Sequence, residues 1–301
     1  MNGARRFIFS APRKRGLSLL SAVAVLAAAA VCFAGFSVAR AGPVFGVRDG
    51  CGGHRAFAAA ARANTESLTT LPLTPFGKLE TGWAIYAPAI AREAHTVCAV
   101  DTPGFARALA RWQFAHGFTA HGAVDADTFA AMKDIWQKRR PFVVLREAGI
   151  CPDPPTDLVP LTPDESRLDK VVELRPKALK ALRRMVASAR RDVPEVAADP
   201  DMLTVFSGYR DPADDAARCT AEQNCQGLVR AECSAHRTGL AIDLILGSAP
   251  GFAADSSDDT NRLYQSRTAA YLWLVANARR YGFVNYVFEP WHWEWTGQKA
   301  R

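Results

Sequence analysis

The chain has 301 residues, 49% apolar and 22% charged, so it can bury a core sufficient for two small domains or one larger domain. The formal net charge is +7, but six basic residues and no acidic ones fall within residues 1–41. The rest of the chain is close to neutral, which argues against a nucleic-acid-binding protein that relies on a basic surface.

Residues 1–41 resemble an export signal. A basic start ends at Arg15, and residues 17–39 carry no charge. Ala39 and Ala41 have the small-residue spacing that a signal peptidase prefers, so cleavage is expected after Ala41. The alternative is a retained membrane anchor, because an uncharged stretch of this length can span a bilayer. Both interpretations predict that the remainder of the chain lies in the periplasm or cell envelope.

Cysteine usage agrees with export. One of the seven cysteines, Cys32, lies in the export segment. The other six are Cys51, Cys98, Cys151, Cys219, Cys225 and Cys233. In an oxidising compartment they are expected to form three disulfides, with 15 possible pairings and at least one bridge within residues 219–233.

Residues 42–150 are predicted to form a linker followed by a small helical domain. Residues 42–80 show no sustained period, whereas from Gly104 the apolar positions follow a helical period. A glycine turn and a second helix beginning near Thr128 come next. This order resembles a three-helix peptidoglycan-binding repeat, which implies wall binding. A helical packing domain without a ligand is the alternative.

Residues 151–301 are predicted to form an α+β domain. Five prolines within residues 151–163 mark its boundary, and a helix begins at Pro176. Strands are expected at 203–206 and 240–246. A further helix stops at Gly282, and a strand-like C-terminal run breaks at Pro290. Strands interspersed with helices over this length are typical of the α+β class.

A carboxylate within one predicted strand indicates a metal site. Asp243 lies between aliphatic residues, where an ionised group is costly unless a cation meets it. His236 precedes it by seven residues, and Glu289 and His292 lie close together near the C-terminus. Two imidazoles and one carboxylate form a three-ligand zinc set that leaves the fourth position for water.

Four motifs are similar to the VanY-type D-alanyl-D-alanine carboxypeptidase family of zinc peptidases. They are SGYR (207–210), SAHRTGLAID (234–243), WLVANARRYGF (273–283) and EPWHWEWTG (289–297). The resemblance implies a small antiparallel sheet with flanking helices.

The resemblance also implies zinc binding by His236, Asp243 and His292, with Glu289 as the general base. Arg210 would hold the scissile carbonyl, and Ser234 would touch the substrate.

The chain departs from the family pattern at two positions. Arg237 stands where the family often has Gln, and it could bind the terminal carboxylate of a substrate. Glu294 stands where the family often has Arg. Strand alternation places Glu294 on the face of His292, so it could compete with Glu289 as the base, but the motif spacing favours Glu289.

These observations predict a zinc D,D-carboxypeptidase that acts on peptidoglycan stem peptides, with membrane contact only if the anchor is retained. The same chemistry also permits an endopeptidase. A wall-binding protein without turnover is a further alternative, although it would not need the base Glu289. A structural zinc site built from His236 and residues Cys219, Cys225 and Cys233 is the remaining alternative.

Overall fold

A computed structural model describes residues 50–167, 171–221, 223, 225 and 233–297. The predicted export signal lies outside these residues, so it stays a prediction. Among the residues described, no helix is long and apolar enough to cross a membrane.

The first part of the described chain is mainly helical. Its helices are α1 (Ala58–Ser67), α2 (Ala87–Glu93), α3 (Pro103–Ala115), α4 (Ala126–Lys138) and α5 (Pro141–Glu147). A short hairpin pairs β1 (Pro72–Leu73) with β2 (Glu80–Thr81). The irregular segment predicted over residues 42–80 was therefore wrong for α1, where alanine's high helix propensity prevails.

Side-chain caps begin the two helices that the sequence predicted. Thr102 accepts a hydrogen bond from the Phe105 N–H at the start of α3, and Asp125 accepts one from the Thr128 N–H at the start of α4. Both caps end the preceding loop, so each helix begins at a defined residue. The apolar stripes of both helices are buried, which confirms the helical period of this region.

The second part alternates strands and helices. Its strands are β3 (Val159–Pro160), β4 (Glu173–Leu174), β5 (Val205–Ser207), β6 (Ala241–Leu244), β7 (Phe283–Asn285) and β8 (His292–Trp295). Its helices are α6 (Pro176–Asp192), α7 (Pro194–Ala198), α8 (Pro212–Ala221), α9 (Asp259–Gln265) and α10 (Ala269–Asn277). The α+β prediction is confirmed.

An antiparallel sheet in the order β5-β6-β8-β7 positions the site. Successive side chains of a strand point to opposite faces. Ile242 and Leu244 therefore join the core formed with α6 and α10. Ala241 and Asp243 point to the other face, where Ala241 packs on Phe142 of α5. Polar groups can gather on this second face because the first face supplies the core.

Three disulfides cross-link the unit and confirm the prediction from cysteine usage. The pairs are Cys51–Cys98, Cys151–Cys233 and Cys219–Cys225. Cys219–Cys225 is the expected local bridge within residues 219–233. Because these thiols are oxidised, the alternative of a cysteine-rich structural zinc site is wrong.

Residues on both sides of the predicted boundary at 150/151 lie in one compact unit, Gly42–Arg301. Phe142 packs against Ala235 and Ala241 across that boundary. The division into a helical domain and a peptidase domain stays a prediction.

Candidate active site

Asp243 and His292 come together because β6 and β8 pair with these two residues directly opposite each other. The Nδ1 atom of His292 lies 2.9 Å from the Oδ1 atom of Asp243. Both side chains are buried. The carboxylate within the apolar strand is thus met by an imidazole from the neighbouring strand.

His236 approaches the same carboxylate from a 3-10 turn, Ala235–Thr238. Gly239 ends this turn with a φ of 63°, a left-handed conformation that favours glycine. The Nδ1 atom of His236 donates to the Gly208 carbonyl over 2.7 Å, which leaves Nε2 3.1 Å from the Oδ2 atom of Asp243. A backbone carbonyl thereby fixes the ring orientation.

The three side chains form a group that could hold a metal ion. One ligand atom from each of His236, Asp243 and His292 lies within 4.8 Å of the others, and all three residues are buried. Two imidazole nitrogens and one carboxylate oxygen match the donors of catalytic zinc sites, so these residues fit zinc.

Glu294 lies behind His292. Its Oε1 atom is 3.4 Å from the Nε2 atom of His292 and accepts a 2.7 Å hydrogen bond from the Nε atom of Arg140. Its Oε2 atom accepts the N–H of Phe142 over 3.1 Å. Glu294 is 1% exposed. Both oxygens are engaged by other groups, and Glu294 is not among the residues that line the cavity, so it is not placed to act as the base.

Glu289 lies on the cavity side of the metal group. Its backbone N–H donates to the Tyr286 carbonyl over 2.8 Å, in the turn between β7 and β8. Its Oε2 atom is 4.0 Å from the Nδ1 atom of His292. The side chain lines the cavity, as a general base for this site must.

Burial and charge set the protonation of the centre. Burial alone would raise the pKa of Asp243, but the imidazoles of His236 and His292 hold it far below its usual range. Burial lowers the pKa of His236. Burial also opposes protonation of His292, but its bonds to Asp243 and Glu294 raise its pKa to about 9. A metal must therefore displace a proton from His292.

Asp215 connects the remaining predicted site residues. It is 2% exposed and accepts a 2.8 Å hydrogen bond from the Ser234 hydroxyl. It also faces Arg210 and Arg237, each at 3.3 Å. Arg210 and Ser234 line the cavity. Arg237 is buried beside Asp215 and is not among the residues that line the cavity, so its role in substrate binding stays a prediction.

Sequence reasoning missed Asp215 and Arg140. Asp215 follows Asp214 in the first turn of α8, and nothing in that segment distinguishes the buried acid from its exposed neighbour. Arg140 precedes α5, outside every motif that carries the family resemblance. No local pattern marks either residue.

A cavity of about 880 Å³ opens onto the metal group. One wall comes from α4 and α5, including Gln137, Phe142 and Arg146. The opposite wall includes Arg210 and Ser234. A volume of this size falls within the range of ligand-binding pockets.

A family model described as VanY, D-alanyl-D-alanine carboxypeptidase, matches residues 171–298, which include the three candidate ligands and Glu289. No curated protein matches the chain. Among matching solved structures is the LdcB LD-carboxypeptidase, in a structure concerned with peptidoglycan recognition. It is 24% identical over 49% of this chain and 71% of that chain, with a TM-score of 0.36. A likeness of that size says nothing about the substrate of this chain.

Proposed function

We propose that this chain is a peptidoglycan peptidase with a defined bond specificity, and the match of residues 171–298 to the VanY family model of D-alanyl-D-alanine carboxypeptidases supports the proposal. The protein is a zinc-dependent D,D-carboxypeptidase that hydrolyses the terminal D-Ala-D-Ala bond of stem peptides. The observation that supports this proposal is the buried group His236, Asp243 and His292 with Glu289 at its cavity side.

The residues divide the chemistry between them. Zinc bound at the three ligands would lower the pKa of a water to about 7 and polarise the scissile carbonyl. Glu289 accepts the proton of the attacking water at its carboxylate and returns it to the nitrogen of the leaving amine. The metal group and Glu289 stand on the same cavity, so one water can reach both.

Arg210 suits the carbonyl oxygen on which charge develops. Its guanidinium lines the cavity, and its Nη2 atom donates to the Ser207 hydroxyl over 3.0 Å. Asp215 faces its Nη1 atom and fixes the side chain from behind. A positioned guanidinium stabilises an oxyanion without the cost of reorganising solvent.

Incubation of the protein with a pentapeptide-bearing muropeptide, followed by mass spectrometry, tests the proposal. Loss of one terminal alanine, abolished by a chelator and restored by zinc, is the expected result. Cleavage of cross-linked dimers with intact pentapeptide ends would assign an endopeptidase instead. Binding without any cleavage would favour the wall-binding alternative.

We also propose that the unit is exported and works in the periplasm or cell envelope. The three disulfides support this location, since such bonds persist in oxidising compartments and are rare in the cytosol. Fractionation of cells that express the full chain tests it, and recovery of the protein with free thiols in the cytosol would contradict it.

A further inference from the structure

We infer that Arg140, which lies upstream of the residues that match the peptidase family, is a positioning residue for the metal centre. It acts through Glu294 on the ligand His292. The inference rests on the proposed metal site, and its test separates the failure of one from the failure of the other.

Arg140 and the backbone of Phe142 together fix the carboxylate of Glu294. The Nε and Nη2 atoms of Arg140 lie 2.7 and 2.6 Å from its Oε1 atom. The N–H of Phe142 occupies its Oε2 atom. The side chains of Arg140 and Glu294 are 8% and 2% exposed, so solvent does not compete for these contacts. The carboxylate therefore has one orientation.

Glu294 in turn contacts the ligand His292. Its Oε1 atom, already held by Arg140, faces the Nε2 atom of His292, while Nδ1 faces Asp243. A carboxylate behind a ligating imidazole fixes the tautomer and the ring plane. Loss of such a partner typically lowers metal affinity by about 10–100-fold.

Arg140 is itself fixed by Tyr286 and Gln137, in addition to Glu294. Its guanidinium carbon lies 3.9 Å above the ring of Tyr286, and Nη1 donates to Gln137 over 3.2 Å. Tyr286 packs edge-on against His292 and belongs to the turn that carries Glu289. Pro141 follows and favours the extended backbone observed at Arg140. The guanidinium of Arg140 thus contacts Glu294, which faces the ligand His292, and Tyr286, which lies in the turn of the base Glu289.

A second, independent contact holds the same turn from the other side. Arg262 is fully buried, and its Nε atom donates to the Phe288 carbonyl, next to Glu289, over 2.7 Å. Its terminal nitrogens donate to Glu80 over 2.9 Å and to the Tyr86 hydroxyl over 2.6 Å. The N-terminal region therefore constrains both ends of the turn, since Arg140 contacts Tyr286 directly and Glu80 and Tyr86 hold Arg262.

The test compares zinc affinity, measured by competition with a chromogenic chelator, in Arg140→Gln and Arg139→Gln. Arg139 is the matched control, since it forms a comparable ion pair with Glu93 away from the site. We expect Arg140→Gln to weaken zinc binding about 10–100-fold. Arg139→Gln should lower the stability of the zinc-free protein and leave zinc affinity unchanged. Equal zinc affinity in Arg140→Gln and the unmodified protein would overturn the inference.

Arg140→Gln leaves Glu294 buried without its counter-charge, and the protein could fail to fold for that reason. The double variant Arg140→Gln/Glu294→Gln removes both charges and serves as the second test. It should fold and still bind zinc at least tenfold more weakly, with a changed absorption spectrum of the Co²⁺-substituted protein. An unchanged spectrum and affinity would show that the pair is merely structural.

The same measurement distinguishes this inference from the proposed function. If the unmodified protein binds zinc but releases no D-alanine, the function fails while the positioning role can still be measured. If the unmodified protein binds no zinc, both fail.

Discussion

Asp243 and His292 form a direct cross-strand pair on the polar face of the central strands, with 2.9 Å between their nearest side-chain atoms. The neighbouring pair in the same ladder, Ile242 and Trp293, points into the core. A slip of one residue in register would exchange these two faces. The packing of the core therefore excludes the registers shifted by one residue, in which the carboxylate would not face the imidazole.

The first prediction concerns metal content. The purified protein should contain about one zinc per chain, as a three-ligand site requires. His292→Ala should lose most of this metal, whereas His121→Ala should retain it, because His121 is paired with Asp125 on the surface. Full zinc content in His292→Ala, measured by atomic absorption, would remove His292 from the ligand set.

The second prediction concerns the base. Glu289→Gln should fold normally and still bind zinc. Its rate of D-alanine release should fall about 10²–10⁴-fold, because the amide cannot accept a proton. This loss corresponds to roughly 3–5 kcal/mol of barrier. The control is Glu147→Gln, an exposed carboxylate at the cavity wall. Comparable losses in both variants would mean that a general electrostatic effect, and not proton transfer, was measured.

The third prediction concerns Asp215. Asp215→Asn leaves Arg210 and Arg237 beside a buried group without charge, and removal of one partner from a buried pair costs about 3–5 kcal/mol. The free energy of unfolding in urea should fall by that amount, and KM should rise as Arg210 loses its support. Asp214→Asn, at an exposed neighbouring position, should change neither quantity. A stable Asp215→Asn protein with normal KM would contradict this role.

The fourth prediction compares two disulfides. Cys151–Cys233 spans 82 residues and Cys219–Cys225 spans 6. In the chain-entropy model, the longer loop contributes roughly 4.5 kcal/mol and the shorter roughly 2 kcal/mol to the free energy of unfolding. Replacement of each pair by serines, followed by thermal unfolding, should therefore lower Tm more for the first pair. The opposite order would show that local packing outweighs loop closure.

The fifth prediction concerns acid. The hydrogen bond from Arg183 lowers the pKa of Glu165 to about 2, against desolvation. Folding lowers the pKa of this carboxyl group, so its contribution to stability is present above its ordinary pKa of 4.5 and is lost as the pH falls towards about 2. Glu165→Gln should be less stable than the unmodified protein at pH 7, and the difference should shrink by pH 2. A stability difference of the same size at pH 7 and at pH 2, measured by urea unfolding, would contradict this role of the ion pair with Arg183.

Sequence patterns identify those residues whose chemistry is unusual within their own segment of the chain. Asp243 interrupts an apolar strand, and His236 and His292 stand in motifs whose spacing fits zinc ligands. The structure brings these three together as the sequence predicted. The strands predicted at 203–206 and 240–246 correspond to β5 and β6, and the strand-like C-terminal run contains β7 and β8 on either side of Pro290.

The residues that pattern could not identify act across long separations. Arg140 contacts Glu294 over 154 positions, and neither residue changes the period of its own element. The sequence therefore leaves Glu294 as a possible base, because strand alternation shows its face but not its partner. Arg237 is similar, since only the fold places it beside Asp215.

The buried contact between Glu80 and Arg262 joins residues 182 positions apart, and it bears on the order of folding. Burial of either charge alone would be costly. The helical first part of the chain therefore cannot bury Glu80 until the guanidinium of Arg262 is in place. Contacts of such separation slow the folding of a chain, because the entropy of loop closure is lost before the contact is gained. The two halves should therefore complete their folding together and unfold in one cooperative transition.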